Sequence, residues 1–219
     1  MSSIWQEDDM ETLELKKAYK HLYAPSTKRV EVVDVPALKF IRLDGSIEPG
    51  QGPGTSPLFQ ENLGAMYGMA YTLKFQFKKR PLAPLDYPVM ALEGLWWVED
   101  GRFDIQVKDN WFYTVQILVP DVVTQAHFEA ALAQLRRKKG DQPAFLRLRL
   151  EVFHEGLSVQ TMHLGPYADE PATVTRMDAF AAENGLVKRG KHHEIYLGNP
   201  LAGDPAKLKT ILRHPVEKA

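Results

Sequence analysis

The chain has 219 residues, 44% hydrophobic and 25% charged, with a formal net charge of −1 and no cysteine. It is long enough to bury a core without staples, as one domain or two small ones. The near-zero charge gives no reason to expect nucleic-acid or anionic-membrane partners, and the lack of cysteine excludes disulfides, thiol catalysis and thiolate zinc sites.

No apolar run reaches the length of a membrane span, and the polar, acidic start lacks the basic-then-apolar pattern of a secretory signal. The expected compartment is the cytoplasm. Leu13 to Leu22 suits a short amphipathic helix that Pro25 stops. Arg29 to Val35 reads as a strand ended by Pro36, and Leu38 to Leu43 as a second strand closed by Asp44-Gly45. Ile47 to Pro57 is a Gly- and Pro-rich loop. From Phe59 to about Phe77, apolar residues return at helical spacing. Val89 to Val98 and Trp111 to Val119 read as strands, with a turn at Glu99-Asp100-Gly101.

Thr124 is a good N-cap for a helix running to Lys139 and ended by Gly140. Strands follow at Phe145 to Phe153 and Leu157 to Leu164, with His154-Glu155-Gly156 as the turn between them. Glu170-Pro171 opens a helix to about Asn184, capped by Gly185. Leu186 to Gly190 and His192 to Leu197 read as a hairpin-like pair, and Lys207 to Pro215 as a short helix with a final strand.

The two halves spell the same order. The expected fold class is α+β: duplicated βαββ units with pseudo-twofold symmetry and antiparallel sheets around a central ligand cleft. The expected division is an N-terminal helical extension over 1–28 and one domain over 29–219, with repeats at about 29–120 and 145–219. A cleft between half-sheets is a preferred ligand site.

Two stretches place one Glu beside large aromatics. These are Lys191-His192-His193-Glu194-Ile195-Tyr196-Leu197 and Leu92-Glu93-Gly94-Leu95-Trp96-Trp97. Together they point to a pocket for a flat, lipophilic or cationic molecule, held by aromatic stacking, cation–π attraction and a carboxylate. Taken alone, Glu194 reads more simply as a solvated strand carboxylate. Trp96 and Trp97 face opposite sides of their strand, so at most one lines a given pocket; Trp97 is preferred because it shares the parity of Glu93. Adjacent His192 and His193 point apart and cannot chelate one ion, so no metal is expected. Nor does a phosphate loop, nucleophile elbow or dinucleotide fingerprint appear. No cofactor is expected.

Taken in order, several segments resemble the stand-alone GyrI-like proteins, relatives of the effector-binding domains of multidrug-sensing regulators. They are Leu15-Lys16-Lys17, Leu22-Tyr23, Asp34-Val35-Pro36, Phe40 to Gly45, Tyr71 to Phe75, Leu92 to Trp97, Phe153 to Gly156, His163 to Tyr167 and His192 to Leu197. The resemblance covers nearly the whole chain. It implies a small-molecule pocket between two βαββ halves. It also implies similarity to cyclopropanoid cyclopropyl hydrolases, which open the cyclopropane of DNA-alkylating natural products with water. Regulator relatives bind lipophilic cations, and one relative binds gyrase. The 28 residues before the first strand leave no room for a DNA-binding module, so direct nucleic-acid binding is not expected; a homodimer is compatible with the sequence. The Gly50 to Pro57 loop departs from the branch's pattern at the pocket rim.

The resemblance makes Glu194 the expected general base. Aromatic walls would strip water from it and strengthen it in that role. Tyr196, two residues on, faces the same way and is its expected partner. Tyr167, Tyr113 and His163 are further acid or lining candidates. Trp96, Trp97, Glu93 and Glu155 complete the expected ligand-binding set, with Glu155 assigned to a turn.

Overall fold

The computed structural model describes residues 10–99, 103–104, 106–107, 110–198 and 204–219. The expected turn at Glu99-Asp100-Gly101 lies largely outside them. The described elements, in order, are β1 (Glu11–Thr12), α1 (Leu15–Ala18), α2 (Lys20–Tyr23), β2 (Glu31–Ser46) and α3 (Pro57–Lys78). Then follow β3 (Leu85–Asp86), β4 (Leu92–Trp97), β5 (Phe112–Leu118), α4 (Gln125–Lys139) and β6 (Arg149–Leu164). The last are α5 (Glu170–Glu183), β7 (Leu186–Lys188), β8 (His192–Tyr196) and β9 (Lys209–Lys218).

The main sheet runs β6-β2-β5-β4-β8-β9, and β6 also pairs with β9, so six antiparallel strands close into a barrel. Closure leaves no free edge in this ring. Each half contributes a long strand, a helix and a pair of strands.

Three expectations are corrected. The separate strands expected on either side of Pro36 are one strand, β2, and those on either side of Gly156 are one strand, β6. These two places face each other, since Val35 is registered with Gly156 and Ala37 with His154. Proline removes a ladder donor and Gly156 takes φ 72, yet the register continues across both positions and neither strand ends there. Glu155 is therefore a buried strand residue, not part of a turn. The pair expected as a hairpin, β7 and β8, does not exist as such: both strands bond to β9. Local sequence cannot show that a later strand will insert between them.

Helix boundaries follow their capping chemistry. Ser56 accepts from Phe59 N at 3.0 Å, and Glu48 takes the Ser56 hydroxyl and Leu58 N, which opens α3. The α3 face carrying Phe59, Met66, Met69, Leu73 and Phe77 is buried against the barrel. Each such side chain contributes roughly 1.5–3 kcal/mol from burial. Thr124 caps α4 by accepting from His127 N, and Gly140 ends it at φ 76. The expected helix over Leu13 to Leu22 is broken at Tyr19 into two short helices, which bring Leu22 and Tyr23 into the core.

Candidate functional site

Strand alternation sorts β8 into two faces: His192, Glu194 and Tyr196 point one way, His193 and Ile195 the other. Register sets Trp96 opposite His192, Gly94 opposite Glu194 and Leu92 opposite Tyr196 on β4. On β9, Leu212 stands opposite Glu194. Trp96, not Trp97, shares the face of Glu194.

On that face Glu194 is nearly buried, and its Oε1 lies 3.0 Å from His192 Nε2. His192 Nδ1 lies 2.8 Å from His214 Nε2, and His214 Nδ1 lies 3.9 Å from Asp178 on α5. Phe103 stacks on His192 with centroids 5.3 Å apart. Trp96 Nε1 donates to the Tyr196 hydroxyl at 2.9 Å, and Tyr167 meets Tyr196 edge-on at 6.0 Å. Burial first, then the Glu194 charge, pushes the Tyr167 hydroxyl up to about 12 and raises the Tyr196 hydroxyl well above its ordinary range. Both phenols are therefore neutral donors at physiological pH.

Gly94 makes this arrangement possible. A Cβ there would come within 2.7 Å of Trp96 Nε1 and 2.8 Å of the Tyr196 hydroxyl. Gly45 has the same kind of role beneath Tyr113, where a Cβ would sit 2.3 Å from the phenol oxygen. Gly165, by contrast, takes φ 121, a conformation that glycine adopts without strain.

A residue not anticipated from sequence completes the site. Glu170, the first residue of α5, is fully buried, and among the described residues neither of its carboxyl oxygens has a hydrogen-bond partner. One donor atom each from Glu170, His192 and Glu194 lie within 4.8 Å of one another. Burial, and then the Glu194 charge, push the Glu170 carboxyl up to about 10. Glu170-Pro171 announces a helix start, and nothing local distinguishes a capping acid from a buried one.

The expectation that Glu93 and Glu194 line one cleft is corrected. Glu93 pairs with Ile195 across the strands, so it projects from the opposite face. There it accepts from Tyr23 and Gln116 and lies 3.1 Å from His193 Nε2. His193 Nδ1 lies 2.8 Å from Glu155, which also accepts from Arg213 at 3.2 Å. Arg213 donates further to Gln160 and to the Leu22 carbonyl. Burial by itself would lower His193, but Glu155 and Glu93 outweigh it and hold the imidazole up at about 9. Conversely, burial would raise Glu155, while His193 and Arg213 bring it down to about 2. The network ties α2 to β4, β6, β8 and β9.

The remaining expected residues fall as follows. Tyr113 is fully buried beside Trp96 and accepts from Asn62 at 2.6 Å. His163 is buried between Thr173 and the Pro166 carbonyl. Trp97 stacks on Phe112 and carries Lys191 Nζ 3.0 Å above its ring. With Arg42, Arg147 and Arg149, these residues line a surface hollow of about 530 Å³. Among the described residues, no helix is long and apolar enough to cross a membrane.

A closed antiparallel barrel with a buried carboxylate among tyrosine and tryptophan rings is suited to holding a small organic molecule. The chain belongs to the GyrI-like small-molecule-binding domain family, whose model matches residues 28–217. A conserved, uncharacterized Listeria innocua protein is 37% identical, with a TM-score of 0.84 over 94% of this chain and 100% of that one. A second Listeria innocua structure, described as a hydrolase, is 35% identical, with a TM-score of 0.79 over the same shares. The C-terminal domain of EcmrR shares the fold at 12% identity and a TM-score of 0.53, covering 87% of this chain and 98% of that domain. No curated protein matches the chain.

Proposed function

We infer that the Glu194 face is the ligand site and that it hydrolyses the cyclopropane ring of flat, lipophilic cyclopropanoid alkylating agents, a detoxifying reaction. The observation that carries this reading is Glu194 itself: a nearly buried carboxylate bonded to His192 and flanked by the Trp96–Tyr196 pair. The Listeria relative described as a hydrolase supports it. Glu194 removes a proton from water as the oxygen attacks the cyclopropane methylene. The breaking C–C bond leaves its electron pair in the conjugated ring, and the ring oxygen takes up a proton. A neutral phenol, Tyr196 or Tyr167, supplies the hydrogen bond that stabilises this oxygen as charge develops on it. The net reaction adds one water.

The test is incubation of the purified protein with a cyclopropane-bearing duocarmycin-type compound, with the ring-opened alcohol read by mass spectrometry. A product formed as fast by Glu194→Gln as by the wild-type protein would refute this mechanism. The second reading is binding without turnover, and a carboxylate beside aromatic rings favours it for organic cations. It predicts Trp fluorescence quenching and an unaltered ligand.

A further inference from the structure

The hollow beside Trp97 shares no residue with the Glu194 site. It lies at one end of the barrel, where β2 and β4 end and β5, β6 and β8 begin. Register aligns Ser46, Phe112 and Trp97 across β2, β5 and β4, on the sheet face opposite Glu194. Its volume of about 530 Å³ is of the size that small-molecule sites have.

The charges of this hollow do not balance. Four cationic side chains line it: Arg42, Arg147, Arg149 and Lys191. Two carboxylates serve two of them. Glu151 accepts from Arg42 at 2.8 Å and from Arg149 at 2.6 Å, and Asp44 accepts from Arg149 at 3.2 Å. Arg147 and Lys191 have no carboxylate partner among the described residues. Arg147 donates instead to the neutral Asn62 side chain at 2.6 Å, and Lys191 Nζ rests 3.0 Å above the Trp97 ring. Arg42 is more than nine-tenths buried, and its Nε, like that of Arg147, has no acceptor among the described residues. The hollow therefore holds more positive charge and more donors than its own acids take up. Leu58, Phe112 and Trp97 add an apolar wall.

We propose that this hollow binds a small organic anion with a flat apolar body and a doubly charged head, of which an aryl phosphate is the simplest example. The head lies between Arg147 and Lys191, and the body lies along Leu58 and Phe112. A guanidinium offers two parallel donors to phosphate oxygens, while an ammonium acts as a point charge beside them. Two cations without acids favour a dianion over a monoanion and repel a cation. The proposal does not rest on the reading of the Glu194 face, because the two sites share no residue.

The test is titration calorimetry at about pH 8, where a phosphate monoester is doubly charged. The probes are phenyl phosphate, inorganic phosphate, benzyl alcohol and benzyltrimethylammonium. Phenyl phosphate should bind saturably at one site per chain, and about tenfold more tightly than inorganic phosphate, since the ring buries apolar surface. The alcohol and the cation should not bind at this site. Lys191→Gln should weaken phenyl phosphate about tenfold, the loss of one charge-assisted contact, and Lys191→Glu should weaken it further. Arg147→Gln gives an independent variant should a change at Lys191 disturb β8. Glu194→Gln should bind the probe as the wild type does.

The proposal is overturned if phenyl phosphate does not bind saturably, or if inorganic phosphate binds as tightly, since the hollow would then be a charged surface without a place for an organic body. It is also overturned if the Lys191 and Arg147 variants all bind like the wild type, or if Glu194→Gln abolishes binding, which would move the probe to the other face. None of these results bears on whether the Glu194 face opens a cyclopropane.

Discussion

Gly94 stands directly opposite Glu194 on the neighbouring strand, and its missing side chain is the space in which Trp96 Nε1 meets the Tyr196 hydroxyl. Gly94→Ala is expected to separate that pair. The Cβ would lie 2.7 Å from the indole nitrogen in a tightly packed region, and overpacking of this kind costs about 1–3 kcal/mol. Tyr196→Phe removes the acceptor alone and should cost about 1 kcal/mol. Thermal unfolding of both variants checks the order of effects, with Ala the more damaging.

Glu194→Gln keeps the shape of the side chain and removes its basicity. Ring opening should fall by roughly 10²–10⁴-fold, the usual share of a general base. Binding of a neutral planar ligand should change little. Turnover and fluorescence titration on the same preparation separate the two effects.

The His193–Glu155 contact makes stability depend on pH. His193 is raised from 6.5 to about 9, so its contribution is complete below about pH 6.5 and is lost as pH rises through about 9. Glu155 is lowered from 4.5 to about 2, so its contribution is complete above about pH 4.5 and is lost as pH falls through about 2. Urea midpoints should therefore show this network's full contribution between about pH 4.5 and 6.5, with a decline by pH 9. His193→Gln should flatten the alkaline decline.

Glu170 works in the opposite direction. A carboxyl whose proton affinity is raised by folding is a cost above pH 4.5, because the unfolded chain ionises it freely. Glu170→Gln should stabilise the protein at pH 7.5 by about 1–3 kcal/mol, a few degrees of Tm, and have little effect at pH 4. Calorimetric scans at the two pH values measure this.

Much of the architecture was legible from local patterns. The α3 and α4 segments announced themselves through apolar spacing and through Thr124 and Gly140, and the α5 start through Glu170-Pro171. Breaker residues misled where pairing overrode them: Pro36 and Gly156 look like strand ends but lie at neighbouring register positions of one continuous strand pair. Trp96 and Trp97 could be assigned to opposite faces by parity, but parity does not say which face holds Glu194.

By itself, then, the sequence determined the long helices α3, α4 and α5, the alternation that separates His192 from His193 and aligns Glu194 with Tyr196, and the likeness to the GyrI-like family. Those are properties of neighbours along one backbone. Only the tertiary structure decided that Glu93 turns away into a network with Tyr23 and His193. It alone brought Glu170 from α5 to Glu194, 24 positions along the chain, because burial and charge pairing depend on which elements a closed barrel places side by side.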